Sequence, residues 1–269
     1  MECRCVPRAL PLVIAVALPQ LGCAAAAAHA PTTAASDAHP HWSYSGDEGP
    51  PRWGDLDPSY ALCKAGLAQS PVDLPIAPPR REPAPAKPPW DPVPLRITNN
   101  GHTIQVDDTA SSAFVVDGTV YRLEQFHFHS PSEHTIGGRT YAVEMHLVHR
   151  SDHGKALVVA ILFGAGAGNT ILAPVLEAAP AQAGGPPVSV PGTTIDVSAL
   201  MPSAPRFLRY EGSLTTPPCT EGVTWLVVEP DARMQMSPDQ IAMLHDRTQP
   251  TTNRPVQAMG PREVVEMVP

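Results

Sequence analysis

Residues 119–129 read Thr-Val-Tyr-Arg-Leu-Glu-Gln-Phe-His-Phe-His. On an extended strand alternate side chains share a face, so Gln125, His127 and His129 point one way and Phe126 and Phe128 the other. Two imidazoles at that spacing can share one metal ion, while the aromatic pair behind them anchors the strand in a core. A second run, residues 141–149, puts Ala142, Glu144, His146 and Val148 on one face. If the two runs lie side by side, His146 supplies a third nitrogen. Three imidazoles and an open fourth position describe a catalytic zinc (Zn2+) site rather than a structural one. Imidazole ligands need a hydrogen-bond partner on the second ring nitrogen; Gln125, beside His127, and Glu144, beside His146, are placed for it. A lone strand histidine is far more often structural than a ligand. His41, His149, His153 and His245 lack such context and are read as surface or structural residues.

The elements that would hold these side chains are short β runs at 95–98, 113–116, 119–128, 141–149, 157–163 and 224–229. Turn signals separate them: Asn100-Gly101, Asp117-Gly118, Gly137-Gly138 and Asp152-His153-Gly154. Helical pattern is confined to 171–178 and, after Ser237-Pro238, to 239–245. Prolines at 75, 78, 79, 83, 85, 88, 89, 92 and 94 exclude a central strand from 75–94, which reads as an extended surface segment. The fold class expected is mainly β, one domain over 41–269 with short peripheral helices. An apolar content of 43% suffices for a full core, and a net charge of −8 with no basic stripe argues against a nucleic-acid partner.

Residues 1–30 read as an export signal. Arg4 and Arg8 precede an apolar stretch over 10–21, and Ala28-His29-Ala30 fits a cleavage site. The stretch is too short to span a bilayer and contains Pro11 and Pro19. Lipid attachment at Cys23 is the alternative, although Gln20 stands where such signals carry an apolar residue. Residues 31–40 read as a disordered tether, and the mature chain as periplasmic or secreted. Cleavage leaves two cysteines, Cys63 and Cys219. In an oxidising compartment they suggest a disulfide, with two unrelated buried thiols as the other reading.

Gln125-Phe-His-Phe-His129, then Ser132-Glu-His-Thr135, then Glu144-Met-His-Leu-Val-His149 resemble the signature region of the α-class carbonic anhydrases, in an exported, bacterial-type form. Gly212-Ser-Leu-Thr-Thr-Pro-Pro218 resembles the family's second hallmark, and Gln69-Ser-Pro-Val-Asp73, Asn99-Asn-Gly-His102 and Asn253-Arg-Pro-Val-Gln257 extend the likeness from about Trp42 to Gln257. The resemblance implies a large, mostly antiparallel twisted sheet of about ten strands with the metal at the base of a conical cleft. It also implies reversible hydration of carbon dioxide to bicarbonate and a proton, through attack by zinc-bound hydroxide. Carbonic anhydrases are themselves the type example of zinc held by three histidines, so acidification of water there is known family chemistry.

Carried over residue by residue, the resemblance makes His127, His129 and His146 the metal ligands and Thr215, with Glu133, the pair that orients the nucleophile. A carboxylate only accepts, so Glu133 takes the Thr215 proton and leaves the Thr215 oxygen to accept in turn. Thr216 contacts anions or substrate. An apolar pocket for carbon dioxide is assigned to Val148, Val159, Leu214, Val223 and Trp225. His102 is the proton shuttle, a task suited to an imidazole titrating near neutrality, with Tyr44, Asn100 and Gln105 ordering the intervening water. His134 is a structural histidine behind the ligands. Cys63 and Cys219 fall where exported members carry a disulfide, which would brace the loop after Thr215; reduction should loosen that loop before the core unfolds. Sulfonamides and anions are the expected inhibitors, and the oligomeric state is left open between monomer and homodimer.

The chain departs from the family pattern in its proline-rich 75–94 segment, at Thr252, where the family's contact is often made through the backbone carbonyl and the ligand shell is expected to be spared, and at Ala258-Met259. Two rivals are a catalytically silent binding module, which typically lacks a zinc ligand, and a zinc hydrolase acting on esters or peptides, for which no specificity groove can be read.

Overall fold

Apolar runs between residues 73 and 268 fold into strands that mostly join one sheet. The computed structural model describes Met1, residues 40–110 and residues 112–269; the export signal, and the tether up to residue 39, lie outside the described residues. The strands are β1 (Asp73–Leu74), β2 (Arg80–Pro83), β3 (Val93–Asn99), β4 (Ile104–Asp107), β5 (Ala113–Val116), β6 (Thr119–His129), β7 (Thr135–Ile136), β8 (Val143–Ser151), β9 (Ala156–Ala165), β10 (Val188–Ile195), β11 (Phe207–Ser213), β12 (Glu221–Val228), β13 (Gln235–Met236) and β14 (Val265–Val268). Four short helices accompany them: α1 (Trp53–Leu56), α2 (Leu62–Ala65), α3 (Ala173–Ala178) and α4 (Pro238–Arg247).

The twelve-stranded sheet runs β10-β3-β4-β6-β8-β9-β12-β11-β14-β2, with β5 on β6 and β13 on β9, while β1 and β7 form a separate pair. The expectation of a mostly antiparallel sheet is refined to a mixed one. Parallel pairing joins β9 to β12 and β13, and β14 to β2. The strands with the densest apolar sequence lie at the centre: β9 buries both faces from Leu157 to Phe163. Such two-sided burial calls for continuous apolar sequence rather than alternation.

Alternation along β6 and β8 sorts two cores onto opposite faces. Phe126, Phe128, Met145 and Leu147 join the larger cluster on one face; Val148, Val158, Ala160, Val223 and Trp225 form the core of the other. A third cluster collects Tyr44, Trp53, Tyr60, Cys63 and Cys219 with Trp42 packed against it. Helix α4 begins in a full capping box, Ser237 accepting from the Gln240 amide while the Gln240 side chain accepts from the Ser237 amide. Among the described residues no helix is long and apolar enough to cross a membrane.

The 75–94 segment departs from a plain surface loop. Arg80–Pro83 is an edge strand on β14, β3 begins at Val93, and Pro78 and Pro88 are buried. Trp90 is 4% exposed and its indole donates to His149 Nε2 at 3.0 Å. Prolines exclude central pairing but not the packing of an intervening tryptophan.

Candidate metal centre

β6 and β8 pair antiparallel, placing His127 opposite His146 and His129 opposite Glu144. The imidazole ring centroids lie 5.0 Å (His127–His129), 5.2 Å (His127–His146) and 4.5 Å (His129–His146) apart. One nitrogen from each falls within 4.8 Å of the other two.

The hydrogen bonds decide which nitrogen faces inward. Gln125 Oε1 lies 2.8 Å from His127 Nδ1, the Thr252 carbonyl 2.6 Å from His129 Nδ1, and Glu144 Oε1 2.7 Å from His146 Nε2. Carbonyl and carboxylate oxygens only accept, so each of these ring nitrogens carries the proton and the remaining nitrogen keeps a lone pair. His129 Nε2 is buried with no hydrogen-bond partner. An orphaned buried acceptor is costly in a protein interior, and a borderline dication shared with the two neighbouring imidazoles is a species that satisfies it. The donor set fits zinc. Burial pushes all three imidazoles below their ordinary range; neighbouring rings of the cluster add to this for His127 and His146, and His134 adds to it for His129. The Gln125 and Glu144 partners are those expected from the strand faces. Thr252 contacts His129 through backbone, as expected at that departure.

Glu144 is saturated. Its Oε1 accepts from His134 Nδ1 (2.6 Å) and His146 Nε2, and its Oε2 from the amides of Glu133 (2.9 Å) and His134 (2.8 Å). Burial alone would raise this carboxyl, but His134 and His146 hold it well below the usual carboxylate range. His134 then accepts from Tyr210 Oη at 2.6 Å, and Ser70 Oγ sits 2.8 Å beyond. Burial holds Tyr210 neutral. The result is a polar chain from Tyr210 on β11 to the imidazole cluster. His134 is buried, in line with expectation; Tyr210 escaped the sequence reading because nothing local marks it, and Ser70, although inside the Gln69–Asp73 motif, was given no role.

Glu133 lies behind the cluster, 3.7 Å from His129 Nδ1 and 3.9 Å from His146 Nε2. Its Oε1 accepts from the Arg254 amide at 2.9 Å. Burial pushes it up to about 7, while His146, the Arg254 amide and the Thr215 side chain pull it down. Glu133 Oε2 is buried with no hydrogen-bond partner. Arg254 was also missed. Its guanidinium is buried and donates to Gln69 Oε1, Ser70 O and Cys63 O at 2.8–2.9 Å, stapling the N-terminal segment to the site. The Cys63–Cys219 disulfide is present, with Cα atoms 5.0 Å apart, and Cys219 follows the loop that carries Thr215 and Thr216.

The proposed apolar pocket needs one correction. Val148 pairs with Val158 and Leu147 with Val159 across β8 and β9. Val158 therefore shares the histidine face, whereas Val159 points into the core on the opposite side. A one-residue slip on a strand exchanges faces. Val148, Val223 and Trp225, with Leu214 packed against them, do lie on the histidine face; the His146 and Trp225 rings are 4.9 Å apart.

His102 follows a turn in which Asn100 Oδ1 accepts the amides of His102 and Thr103. Gln105 lies opposite His127 and donates to Asp107. The His102 ring stacks on Trp42 at 3.8 Å and 9°, with Tyr44 6.4 Å away. Burial raises Tyr44 well above its ordinary value and Glu133 contributes to the rise.

With this geometry in view, comparison with known proteins is decisive: the family profile for eukaryotic-type carbonic anhydrase matches residues 48–268. The chain belongs to the α-carbonic anhydrase family. A carbonic anhydrase from Neisseria gonorrhoeae is 39% identical over 97% of this chain and 98% of its own length, and one from Klebsiella pneumoniae is 40% identical over 84% and 91%. Among solved structures, the α-carbonic anhydrase from Thermovibrio ammonificans with the inhibitor sulfanilamide superposes with a TM-score of 0.79 at 39% identity, covering 84% of this chain and 98% of that one. A structure of dioscorin complexed with ascorbate also superposes, with a TM-score of 0.78 at 29% identity over 85% and 98%. This carbonic anhydrase fold thus also occurs in a protein described by another ligand.

Proposed function

We propose that this chain hydrates carbon dioxide reversibly to bicarbonate and a proton, with His127, His129 and His146 holding zinc through Nε2, Nε2 and Nδ1. The observation carrying the reading is the proton assignment of these rings: each outer nitrogen is occupied by an acceptor, and the three lone pairs converge. Zinc bound there supplies the Lewis acidity that makes water a nucleophile near neutral pH. The unpartnered Glu133 Oε2 is the acceptor this reading gives to the Thr215 hydroxyl, which would leave the Thr215 oxygen to accept from the nucleophile and orient it. Val148, Val158, Leu214, Val223 and Trp225 provide a wall without charge for a substrate that has no net dipole, and Thr216 receives the anionic product. His102, half-buried beside Tyr44, takes the proton outward. Sulfonamides and small anions compete at the same centre; the sulfanilamide complex of the Thermovibrio relative supports this. The Cys63–Cys219 bridge favours an oxidising compartment and therefore an exported mature chain.

Stopped-flow hydration with the purified chain tests the proposal, before and after zinc removal and re-addition, with His129→Asn as control. Activity that follows zinc and is blocked by a sulfonamide is expected. Bound zinc without hydration would instead favour a silent binding module, a reading the dioscorin likeness makes worth testing. Ester cleavage exceeding hydration would favour a hydrolase.

A further inference from the structure

The outer nitrogens of the three imidazoles do not lean on equal supports. Gln125 and Glu144, which meet His127 and His146, stand on β6 and β8 inside the sheet. The Thr252 carbonyl, 2.6 Å from His129 Nδ1, stands on residues 248–256, which belong to no helix or strand. A carbonyl orients an imidazole only if it is itself held. Thr252, 2% exposed, is held at the residue that follows the ligand. Its amide donates to the Ser130 carbonyl at 2.9 Å, and the Ser130 amide donates to its hydroxyl oxygen at 3.0 Å. β6 and its pairing with β8 both end at His129, so no strand offers the Ser130 amide an acceptor. Ser130 is pinned on its other side as well. Its hydroxyl donates to the Ala142 carbonyl at 2.9 Å and, with its proton committed there, accepts from His245 Nε2 of α4 at 2.8 Å.

We infer that the Thr252 hydroxyl is a positioning group for His129, and that Ser130, fastened to α4 through His245, is the other half of the latch. The hydroxyl acts through the backbone and not on the imidazole. It closes a ring of two hydrogen bonds beside the ligand, and that ring fixes the direction of the Thr252 carbonyl. With the carbonyl fixed, the His129 proton stays on Nδ1 and Nε2 keeps its lone pair turned toward His127 and His146. Without the hydroxyl the Ser130 amide is a buried donor with no acceptor. The 248–256 segment then shifts to bring it another oxygen and takes the carbonyl along. Valine has the same branching as threonine but cannot accept, so it fills the space without closing the ring. The side chain at residue 252, where the chain departs from the family pattern, thus serves to retain the metal.

This inference rests on the role proposed for His129 as a zinc ligand, and the experiment separates the two. Wild type, Thr252→Val, Thr252→Ser, His129→Asn and Thr248→Val are compared. Thr248 lies in the same segment, and its hydroxyl donates to the Leu244 carbonyl at the end of α4. Zinc-loaded chains are mixed with excess chelator and the transfer of zinc is followed. Thr252→Val should release zinc about ten-fold faster than wild type, and Thr252→Ser should stay within about two-fold of it. Thr248→Val should release it at the wild-type rate. In the metal-free chains, proton–nitrogen NMR should show His129 protonated on Nδ1 in wild type and Thr252→Ser, and a mixture of tautomers in Thr252→Val. Hydrogen exchange at the Ser130 amide of metal-free wild type, expected to be slow, tests the latch even if Thr252→Val does not fold; fast exchange overturns it. Wild-type release from Thr252→Val, equal acceleration in Thr248→Val, or failure of Thr252→Ser to restore retention also overturns it. The ligand reading survives each of these outcomes while His129→Asn lacks zinc. Full zinc in His129→Asn overturns both.

Discussion

His146 and His149 leave β8 on opposite faces, and both are buried. His146 donates through Nε2 to Glu144 and keeps a lone pair on the nitrogen turned toward His127 and His129. His149 accepts through Nε2 from the Trp90 indole and lies 6.2 Å from the Phe114 ring, amid the large apolar cluster. An imidazole whose neighbour is an acceptor has its other nitrogen free to bind a cation. One whose neighbour is a donor carries its proton on the other nitrogen and stays a neutral core residue with no lone pair left for a cation, as His149 does although its Nδ1 has no hydrogen-bond partner. Residue type and burial are alike; the sign of the hydrogen bond separates ligand from ballast.

The sharpest test swaps each for asparagine. His146→Asn is expected to lose zinc and to lower hydration more than about a hundredfold, whereas His149→Asn retains stoichiometric zinc; metal analysis by mass spectrometry alongside stopped-flow reads both. Equal zinc in the two variants would erase the distinction. Next comes pH. Burial lowers His149 to about 4 from an ordinary 6.5. Unfolding exposes a ring that takes up a proton more readily, so its contribution is complete above pH 6.5 and is lost as pH falls toward 4. The loss amounts to about 3 kcal/mol. The unfolding free energies of wild type and His149→Leu, from urea titrations between pH 7.5 and 4, should drift apart by that amount over the range, and parallel curves would refute a neutral buried His149. Glu144→Gln replaces a four-fold acceptor with a side chain that accepts through one oxygen only. Zinc affinity should fall about ten- to a hundredfold, measured by competition with a chelator, and His149 should be untouched. The smallest effect is expected from Trp90→Phe, which strips His149 of its donor: about 1–2 kcal/mol of stability, with hydration kinetics unchanged.

Much of this was legible in sequence where a signal is local. The strand at 113–116 matches β5, the 119–128 run falls one residue short of β6, and the 171–178 and 239–245 helices lie within two residues of α3 and α4 at either end. The shared face of Gln125, His127 and His129 follows from period two alone. Strands β10, β11 and β14 were not anticipated. β10 is mostly exposed around Pro191 and Gly192 and carries no strong strand pattern, whereas β11 alternates Leu208 and Tyr210 with Arg209 and Glu211, a strand signal that the reading of the sequence passed over. Their pairing is set by partners far away in the chain. Val159, assigned to the pocket through the resemblance, lies on the opposite face; in a continuous apolar run no polar residue fixes which valine matches the family position. Arg254, Tyr210 and Ser70 matter only through contacts made once the sheet has closed.

The last strand has a consequence of its own. β14 lies between β11 and β2, and the Arg81–Glu266 pair spans 185 residues of chain. During synthesis β2 therefore waits unpaired until residues 265–268 have left the ribosome, and long-range pairing of this kind is slow. A premature stop before 265 would bare two sheet borders at once and invite aggregation, even though every histidine had already been made.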